Sequence, residues 1–570
     1  MINIYQLFPR LFGNITAQTV INGTIEQNGC GKFIDISETA LTAIKDLGIT
    51  HIWLTGIIRH ATLTSYSTFG IPESHPAIVK GIAGSPYAIC DYYDVDPDLA
   101  TNVSDRMQEF RDLLGRIHQQ NLKVIIDFVP NHLAREYKSV MKPENVKDFG
   151  EDDNTNVRFA RDNNFYYLPE ETFKSPAKIT DNQNFHYAEF PAKATGNDCF
   201  SAKPSIFDWY ETVKLNYGFD FENQQAYEGE DVPDTWKKMF EILHYWAEMG
   251  IDGFRVDMAE MVPVSFFGWL IPNLKTKFPD LLFIAEIYQP HLCQLFIKVG
   301  FDYLYDKVGL YNTIESVLRH HQPAETISEC WKSLNGIDAK MLRFMENHDE
   351  VRLASKQFVS DPLISLPAVA VSALMHRGPF MIYNGQETGE KAIGAIGFSG
   401  DDGRTSIFDY SIMPQHQKWM NGGRFDGKLM SKDQQNLFSF YRKLLHFRLE
   451  NEAIFAGEFY DLMWANPWYT EFDPRFVYAF LRYSHKQKLL VVINFHKTEA
   501  RSMRVKIPED AKELAGIETI NNQIWITENI FHKTSSVIFD PNTLTNQGIQ
   551  ITLEPLEITI LKLHTNKLVE

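Results

Sequence analysis

The sequence predicts an α/β protein built on a (β/α)8 TIM barrel, with a small domain inserted after the third strand and a C-terminal antiparallel β domain. Three observations support this fold class. Short apolar runs alternate with helical patterns over most of the 570 residues. A long polar stretch follows the third apolar run, and beyond Glu452 the pattern changes to closely spaced β segments.

Eight apolar runs have the length and composition of buried parallel strands, and eight such strands suggest a closed barrel. These runs are Asn3–Leu7, His51–Thr55, Lys123–Phe128, Gly253–Asp257, Leu281–Glu286, a short one at Tyr303, Met341–Met345 and Phe380–Tyr383. Segments with helical spacing of apolar residues lie between them and after the last. The predicted helices are Asp35–Leu47, Ser104–Gln120, Thr235–Met249, Asp361–Met375 and Lys432–Leu449.

The alternation stops between His132 and about Pro204. This polar stretch is too long for a simple βα loop, so we expect a small inserted domain at residues 133–204. The barrel would then comprise residues 1–132 and 205–452.

Residues 453–570 are expected to form a separate antiparallel β-sandwich domain. The segments Phe476–Arg482, Leu489–Phe495 and Ile558–Leu563 are rich in β-branched and aromatic residues, and no helices are expected between them.

Charge and composition limit the class of partner. With 55 Lys and Arg against 73 Asp and Glu, the formal net charge is −18. This balance argues against a nucleic acid or an anionic membrane as partner and suits a neutral or cationic substrate. Aromatic residues reach 13 %; most must belong to the core, and the excess is compatible with stacking on sugar rings.

Cysteine usage and the N-terminal sequence bear on localisation. The five cysteines are scattered and form no Cys-x-x-Cys pair, which predicts neither a disulfide framework nor a zinc ribbon. No basic segment followed by an apolar stretch opens the chain, and no run of eighteen apolar residues occurs. We expect a cytoplasmic protein, although a removed signal peptide would leave no trace. The oligomeric state stays open.

Acidic residues follow two neighbouring predicted strands. Arg255 and Asp257 share one face of the fourth strand because side chains alternate, and the fifth strand ends in Glu286. The C-terminal ends of barrel strands meet at one mouth, where barrel enzymes hold their reacting groups. We therefore expect Asp257 and Glu286 in one pocket.

Two other segments carry polar residues to the same edge. The third strand contains Asp127 and is followed by Asn131 and His132, and the seventh is followed by His348 and Asp349. A single aspartate at a strand end is often just a helix cap. Four segments in this order, each at a predicted strand end, make coincidence improbable.

These four segments resemble the sequence regions of the α-amylase family of glycoside hydrolases, from Tyr5 to about Glu452. The resemblance implies a retaining mechanism, with Asp257 as nucleophile, Glu286 as general acid/base and Asp349 as a third carboxylate that stabilises the transition state. Retention requires the two reacting carboxyl groups to lie about 5–5.5 Å apart. Arg255 would favour the anion of Asp257. The apolar approach to Glu286 and its negative neighbours would favour the protonated acid.

The same resemblance implies roles for the surrounding residues. Tyr87 would stack on the sugar at the cleavage site, and Arg255, His132 and His348 would also bind substrate. Asp127 would buttress the arginine and Asp91 would support the Tyr87 loop. Trp209 and Tyr217 could each form a platform for a glucose ring or pack in the core. Glu387 is expected to have a structural role.

Two features bear on specificity and metal binding. Glu260-Met261 stands where many starch-cleaving members carry Lys-His, so the leaving-group side of the cleft must bind sugar differently. The resemblance also implies a structural Ca²⁺ between the barrel and the inserted domain, held by an asparagine, inserted-domain carboxylates and a backbone carbonyl. Asn131 fits the asparagine. The acids available are Asp152, Asp153 and Asp162, which are either further ligands or solvated side chains. No organic cofactor is expected.

We therefore expect a retaining hydrolase that cleaves α-1,4-glucosidic bonds in starch, maltodextrin or related oligo- or polysaccharides by double displacement. An α-glucan transglycosidase would use the same carboxylates. A noncatalytic carbohydrate-binding relative is disfavoured because every acid is present. A metal-dependent barrel hydrolase is disfavoured by the lack of a closely spaced histidine pair. Chain-length preference, linkage preference and endo or exo action stay open.

Overall fold

Eight parallel strands form a closed barrel in which each strand pairs with its neighbour along the chain and the last pairs with the first. The computed structural model describes residues 1–177, 187–226, 231–319, 321–392, 394, 396–468, 471–519, 523–532 and 534–567. The barrel strands are β1 (Asn3–Leu7), β2 (His51–Leu54), β3 (Lys123–Phe128), β4 (Gly253–Val256), β5 (Leu282–Ala285), β6 (Tyr303–Tyr305), β7 (Met341–Phe344) and β8 (Phe380–Tyr383). The predicted barrel is confirmed.

The two acids that the sequence placed inside β4 and β5 are instead the first residues of the following loops. β4 ends at Val256 and β5 at Ala285. The amide of Asp257 still donates to the Phe128 carbonyl at 2.8 Å, and that of Glu286 to the Val256 carbonyl at 3.1 Å. The barrel ladder therefore fixes both backbones while their side chains reach the mouth.

Helices cover the barrel and bury their apolar faces against it. The principal ones are Glu38–Asp46, Arg106–Gln119, Asp234–Met249, Val264–Lys277, Cys293–Lys298, Asn312–Leu318, Ile327–Ser333, Leu366–Leu374, Pro414–Met420 and Lys432–Glu450. The predicted helix Asp361–Met375 is shorter, because it begins as a 3-10 turn at Pro362–Ser365. Pro362 and Pro367 lack N–H donors and favour first-turn positions.

A long excursion leaves the barrel after β3. His132–Ala134 pairs antiparallel with Thr212–Lys214, and Tyr167–Leu168 pairs with Ala192–Lys193. A small separate apolar cluster includes Leu168, Phe173, Ala192, Ala202 and Tyr210. This cluster also contains Ile78, whereas Phe149, Phe165 and Tyr167 of the excursion pack in the main core. The boundaries of the predicted inserted domain at 133 and 204 stay a prediction, and its residues 178–186 lie outside the described ranges.

The C-terminal part is antiparallel, as predicted. Six strands form one sheet, in the spatial order Glu458–Asp461, Val477–Tyr483, Lys488–Asn494, Ile558–Lys567, Gln523–Asn529 and Thr534–Phe539, and Arg501–Val505 pairs with Ile549–Leu553. The expectation of no helix between these strands is wrong, because Glu509–Ala515 is helical. Its acidic first turn and the left-handed Gly516 that ends it are local helix signals.

The structure bears on membrane-spanning helices and on the state of the cysteines. Within the described ranges, no helix has both the length and the apolarity needed to cross a bilayer. All five cysteines lie in described parts of the chain, and all five are free thiols.

Candidate active site

The predicted site residues meet at one end of the barrel, around a cavity of about 450 Å³. Tyr87, His132, Asp257, Glu286 and Asp349 line it directly. The predicted residues Arg255, His348 and Asp127 lie behind this lining and contact it. The remaining lining residues are Lys80, Ser85, Trp209, Glu211, Thr212, Met258, Tyr288, Lys307, Glu350, Arg404, Ile407 and Phe408.

Arg255 holds the predicted nucleophile in place. Its Nη1 donates to Asp257 Oδ1 at 2.7 Å and to Asp127 Oδ1 at 3.3 Å. In the described structure, Asp257 Oδ2 is buried and accepts no hydrogen bond. The protein therefore leaves the lone pairs of this oxygen unused.

The charge state of Asp257 depends on this arginine. Burial raises the pKa of Asp257 well above its usual value, and the charges of Glu286 and Asp127 raise it further, whereas Arg255 lowers it. The guanidinium therefore offsets only part of the rise that burial causes in the pKa of Asp257. The expected partnership of Arg255 with Asp257 is present in the structure.

Two hydrogen-bond donors and one ion-pair partner converge on Glu286. Arg255 Nη2 lies 2.7 Å from Oε1, the Tyr288 hydroxyl donates to the same oxygen at 2.7 Å, and the Met258 amide donates to Oε2 at 2.8 Å. Met258 adopts the left-handed conformation, at φ 42° and ψ 44°. This uncommon backbone at a non-glycine residue turns the chain directly after Asp257 and aims the amide at Glu286.

Asp349 and His348 form a second polar group at the mouth. His348 Nε2 lies 3.1 Å from Asp349 Oδ2 and 2.5 Å from the Tyr87 hydroxyl, and Gln6 contacts Nδ1 at 2.8 Å. Burial opposes ionisation of Asp349, but its contact with His348 and the positive charges of Arg255 and Arg404 prevail and lower its pKa to about 2. Asp349 is 40 % exposed towards the cavity, so an ionised carboxylate is available to a ligand.

Tyr87 stacks on a protein ring behind the cavity. Its ring lies 5.3 Å from that of His348 at an interplanar angle of 29°. One face of the tyrosine is thus supported, which is the arrangement needed for the other face to carry a sugar ring. The substrate contact itself remains a prediction.

Asp127 and Asp91 lie where supporting residues are expected. Asp127 contacts Arg255 and accepts from the Trp53 indole at 3.1 Å. Asp91 does not line the cavity and accepts from the amides of Tyr93 and Val140 at 2.9 and 2.7 Å. Asp91 therefore ties the strand after the Tyr87 loop to the start of the long excursion.

His132 and Trp209 form one wall of the cavity. Their rings lie 5.1 Å apart. Burial, with the positive charges of Lys214 and Lys80, lowers the pKa of His132 to about 3, so the imidazole is neutral. The sequence left the roles of Trp209 and Tyr217 undecided. In the structure Trp209 faces the cavity, whereas Tyr217 is buried against Phe266.

Asn131 contacts a lysine. Its amide oxygen accepts from Lys214 Nζ, and its amide nitrogen donates to the Gly196 carbonyl at 2.8 Å. The acids considered as calcium ligands have other partners: Asp152 pairs with Lys147, Asp162 with Arg161, and Asp153 accepts from the Asn164 and Phe165 amides. Among the residues described, three or more His, Cys, Asp or Glu side chains nowhere cluster in a way that could hold a metal ion.

Sequence reasoning missed Tyr288 and the role of Glu260. Glu260 Oε2 accepts from the amides of Tyr288 and Gln289 at 2.9 and 3.0 Å, which places the Tyr288 hydroxyl on Glu286. The position of Tyr288, two residues after a predicted acid at a strand end, was an available signal. No local sequence pattern around Glu260 predicts its contact with the Tyr288 and Gln289 amides.

Comparison with known families agrees with this geometry. A model of the α-amylase catalytic domain matches residues 6–285, and one of the α-amylase C-terminal all-β domain matches residues 472–564. The two matches cover well over half of the chain. The chain belongs to the α-amylase family. Members of this family are glycosidases, and the four acid-bearing segments of this α-amylase family member lie at one barrel mouth.

Individual relatives are distant. The chain is 22 % identical to alpha-amylase 3 of Dictyoglomus thermophilum, with 87 % of this chain and 85 % of the relative covered. It is also 22 % identical to an α-1,4-glucan:maltose-1-phosphate maltosyltransferase of Picrophilus torridus, covering 88 % of this chain and 62 % of that relative. A maltogenic α-amylase from Thermotoga neapolitana shares its fold, with a TM-score of 0.62, 21 % identity and 98 % of each chain covered.

Proposed function

We propose that this α-amylase family member is a retaining glycoside hydrolase that cleaves α-1,4-glucosidic bonds in starch, maltodextrin or related α-glucans. The observation that carries the proposal is the contact of one guanidinium with two carboxylates, Asp257 and Glu286, each at 2.7 Å. A shared cation favours the close spacing of a retaining pair, about 5–5.5 Å, over the roughly 6.5–9.5 Å of an inverting pair.

In the first step, Asp257 Oδ2 attacks the anomeric carbon while Glu286 gives a proton to the glycosidic oxygen, and the leaving chain departs as an alcohol. Asp257 has the free oxygen for this attack. Both carboxyl oxygens of Glu286 already face donor groups, Oε1 those of Arg255 and Tyr288 and Oε2 the amide of Met258. The glycosidic oxygen of the substrate must therefore replace part of those contacts.

In the second step, Glu286 removes a proton from water, and the resulting nucleophile displaces Asp257 from the anomeric carbon. The Tyr288 hydroxyl and the Met258 amide hold the Glu286 side chain in place for this step. Asp349, ionised and facing the cavity, would stabilise the positive charge that develops on the sugar ring in both steps.

The chemistry of the cavity supports a neutral sugar substrate. Tyr87, Trp209 and Tyr288 offer ring faces, and carboxylates and lysines offer hydrogen bonds to hydroxyl groups. We also propose a reducing, cytoplasmic setting, which the five free thiols support.

A transglycosidase is the second candidate, because a sugar hydroxyl can replace water in the second step. The similarity to a maltosyltransferase keeps this candidate open. The same acids would act, and the acceptor would contact the side of the cavity near Glu260-Met261, which stand where many starch-cleaving members carry Lys-His.

The test follows the products formed from maltoheptaose by the wild-type protein and by Asp257→Asn, using chromatography for chain length and proton NMR for anomeric configuration. We expect shorter products that form first as α-anomers, and a loss of at least about 10⁴-fold in Asp257→Asn, as for removal of other enzymatic nucleophiles. Asp302→Asn is the matched control, because Asp302 pairs with Lys275 and does not line the cavity.

Other outcomes distinguish the alternatives. Products longer than maltoheptaose would favour the transglycosidase, and products that form first as β-anomers would contradict retention. An Asp257→Asn variant with wild-type rates would show that the nucleophile is assigned to the wrong residue.

A further inference from the structure

The ammonium group of Lys214 contacts residues of three separate segments near the active site. The lysine belongs to the strand Thr212–Lys214 and stands opposite His132 in the register. Its side chain is only 3 % exposed. Its Nζ contacts the amide oxygen of Asn131, Asp198 Oδ1 at 2.7 Å and the Met261 carbonyl at 2.9 Å.

These partners are one amide oxygen, one carboxylate and one backbone carbonyl, all of the kind that hard cations such as Ca²⁺ select. They are also the types of ligand that the resemblance to the α-amylase family implies for a structural calcium ion. In this chain an ammonium takes the central position. A lysine ammonium has three N–H donors, and three acceptors satisfy it.

A calcium ion does not fit at the same place. It would lie within contact distance of a buried positive charge, in surroundings where repulsion is screened weakly. The three oxygens that would bind calcium already accept from Lys214. The Lys214 ammonium also forms an ion pair with Asp198, whose Oδ1 lies 2.7 Å from Nζ.

We propose that Lys214 is a built-in cation that replaces a structural calcium ion in this protein and acts as a positioning residue for the active site. Through Asn131 it fixes the neighbouring His132, through Met261 it fixes the loop after the proposed nucleophile, and through Asp198 it ties the long excursion to the barrel. The inference concerns what holds the site together, and it stands whether the enzyme is a hydrolase or a transglycosidase.

The first test measures the melting temperature, Tm, and calcium binding by isothermal titration calorimetry, using CaCl₂ alone as the probe. The wild-type protein is expected to have the same Tm in EGTA and in about 5 mM calcium, a concentration above the Kd of even weak protein calcium sites. A wild-type Tm that rises with calcium, together with loss of that rise in Asp198→Ala, would overturn the proposal.

The second test compares Lys214→Ala with Lys214→Met. Both lose the charge and should melt several degrees below wild type. Lys214→Ala leaves the oxygens with empty space, so about 5 mM calcium should bind there and recover much of the lost Tm. In Lys214→Met, the methionine fills that space without a charge, so calcium should not raise the Tm.

Activity separates positioning from a merely structural effect. For Lys214→Ala assayed well below its Tm, we expect a higher KM and a kcat reduced by about tenfold, with both restored by calcium. Equal recovery of the two variants by calcium, or recovery of neither, would overturn the proposal. The wild-type titration decides the calcium question whichever variants fold.

Discussion

Arg255 and Glu286 form a buried ion pair, with Nη2 of the arginine 2.7 Å from Oε1 of the glutamate. The same guanidinium contacts Asp257 through Nη1. One cation thus contacts both proposed reacting groups and fixes their positions relative to each other. A planar guanidinium can do this because its donors point in fixed, different directions, whereas a lysine ammonium is a point charge.

We predict that Arg255→Lys loses activity while keeping its fold. Truncating a buried charge pair costs about 2–5 kcal/mol, which corresponds to a fall of roughly 30- to 4000-fold in kcat/KM. Arg343→Lys is the matched control, since Arg343 is equally buried in β7 but pairs with Asp306 away from the cavity. Its Tm should fall with a much smaller loss of kcat/KM. Equal losses in the two variants would argue against the bridging role of Arg255.

Tyr288→Phe is expected to lower kcat/KM on maltoheptaose. The lost hydroxyl donates to the charged Glu286 at 2.7 Å, and hydrogen bonds to charged groups contribute about 1.5–3 kcal/mol, or roughly 10- to 150-fold in rate. Tyr245→Phe, which removes a hydroxyl that bonds the Tyr93 carbonyl outside the cavity, is the control.

Glu260→Ala should act through Tyr288. Because Glu260 accepts from the Tyr288 and Gln289 amides, its removal should lower kcat/KM in the wild-type background and much less in Tyr288→Phe. A double-mutant cycle measures this coupling. Additive losses would mean that Glu260 has a separate role, for example a direct contact with the leaving-group sugar.

Acid should destabilise the protein through buried histidines. Burial lowers the pKa of His416 from 6.5 to about 4. As the pH falls below about 6.5, His416 takes up a proton in the unfolded chain but stays neutral in the folded protein. The free energy of unfolding therefore decreases progressively from pH 6.5 down to about pH 4. For His416 this amounts to about 2 kcal/mol at pH 5. The Tm difference between pH 7 and pH 5 should therefore shrink in His416→Gln, and it should not change in His291→Gln, where the side chain is exposed.

Asp349 should remain ionised across the working pH range, because its pKa is lowered to about 2. The stability that its charge contributes is present above its unfolded pKa of about 3.9 and is lost only as the pH falls towards 2. We therefore expect Asp349→Asn to lower kcat/KM by a large factor that is the same at pH 5 and pH 8. A factor that shrinks towards pH 5 would show that Asp349 takes up a proton in that range.

Much of the fold and of the site could be predicted from the sequence, because both depend on local patterns. An apolar run of strand length followed by an acid, as in Leu281–Glu286, predicts the strand and also the position of the acid at its end. All eight barrel strands were predicted as apolar runs, although the sixth was located only at Tyr303. The helix Glu509–Ala515 was missed because it is short and lies among strands, although proline, acidic residues and glycine mark its ends.

The sequence by itself determined which acids reach the barrel mouth, since strand alternation and chain order place Asp257, Glu286 and Asp349 there. Only the tertiary structure decided which partners those acids and their neighbours have. The contact of Arg255 with Glu286, and that of Lys214 with Asn131 and Met261, join residues 31 or more positions apart. Such contacts depend on how the barrel closes and how the long excursion packs back on it, and no local spacing encodes either.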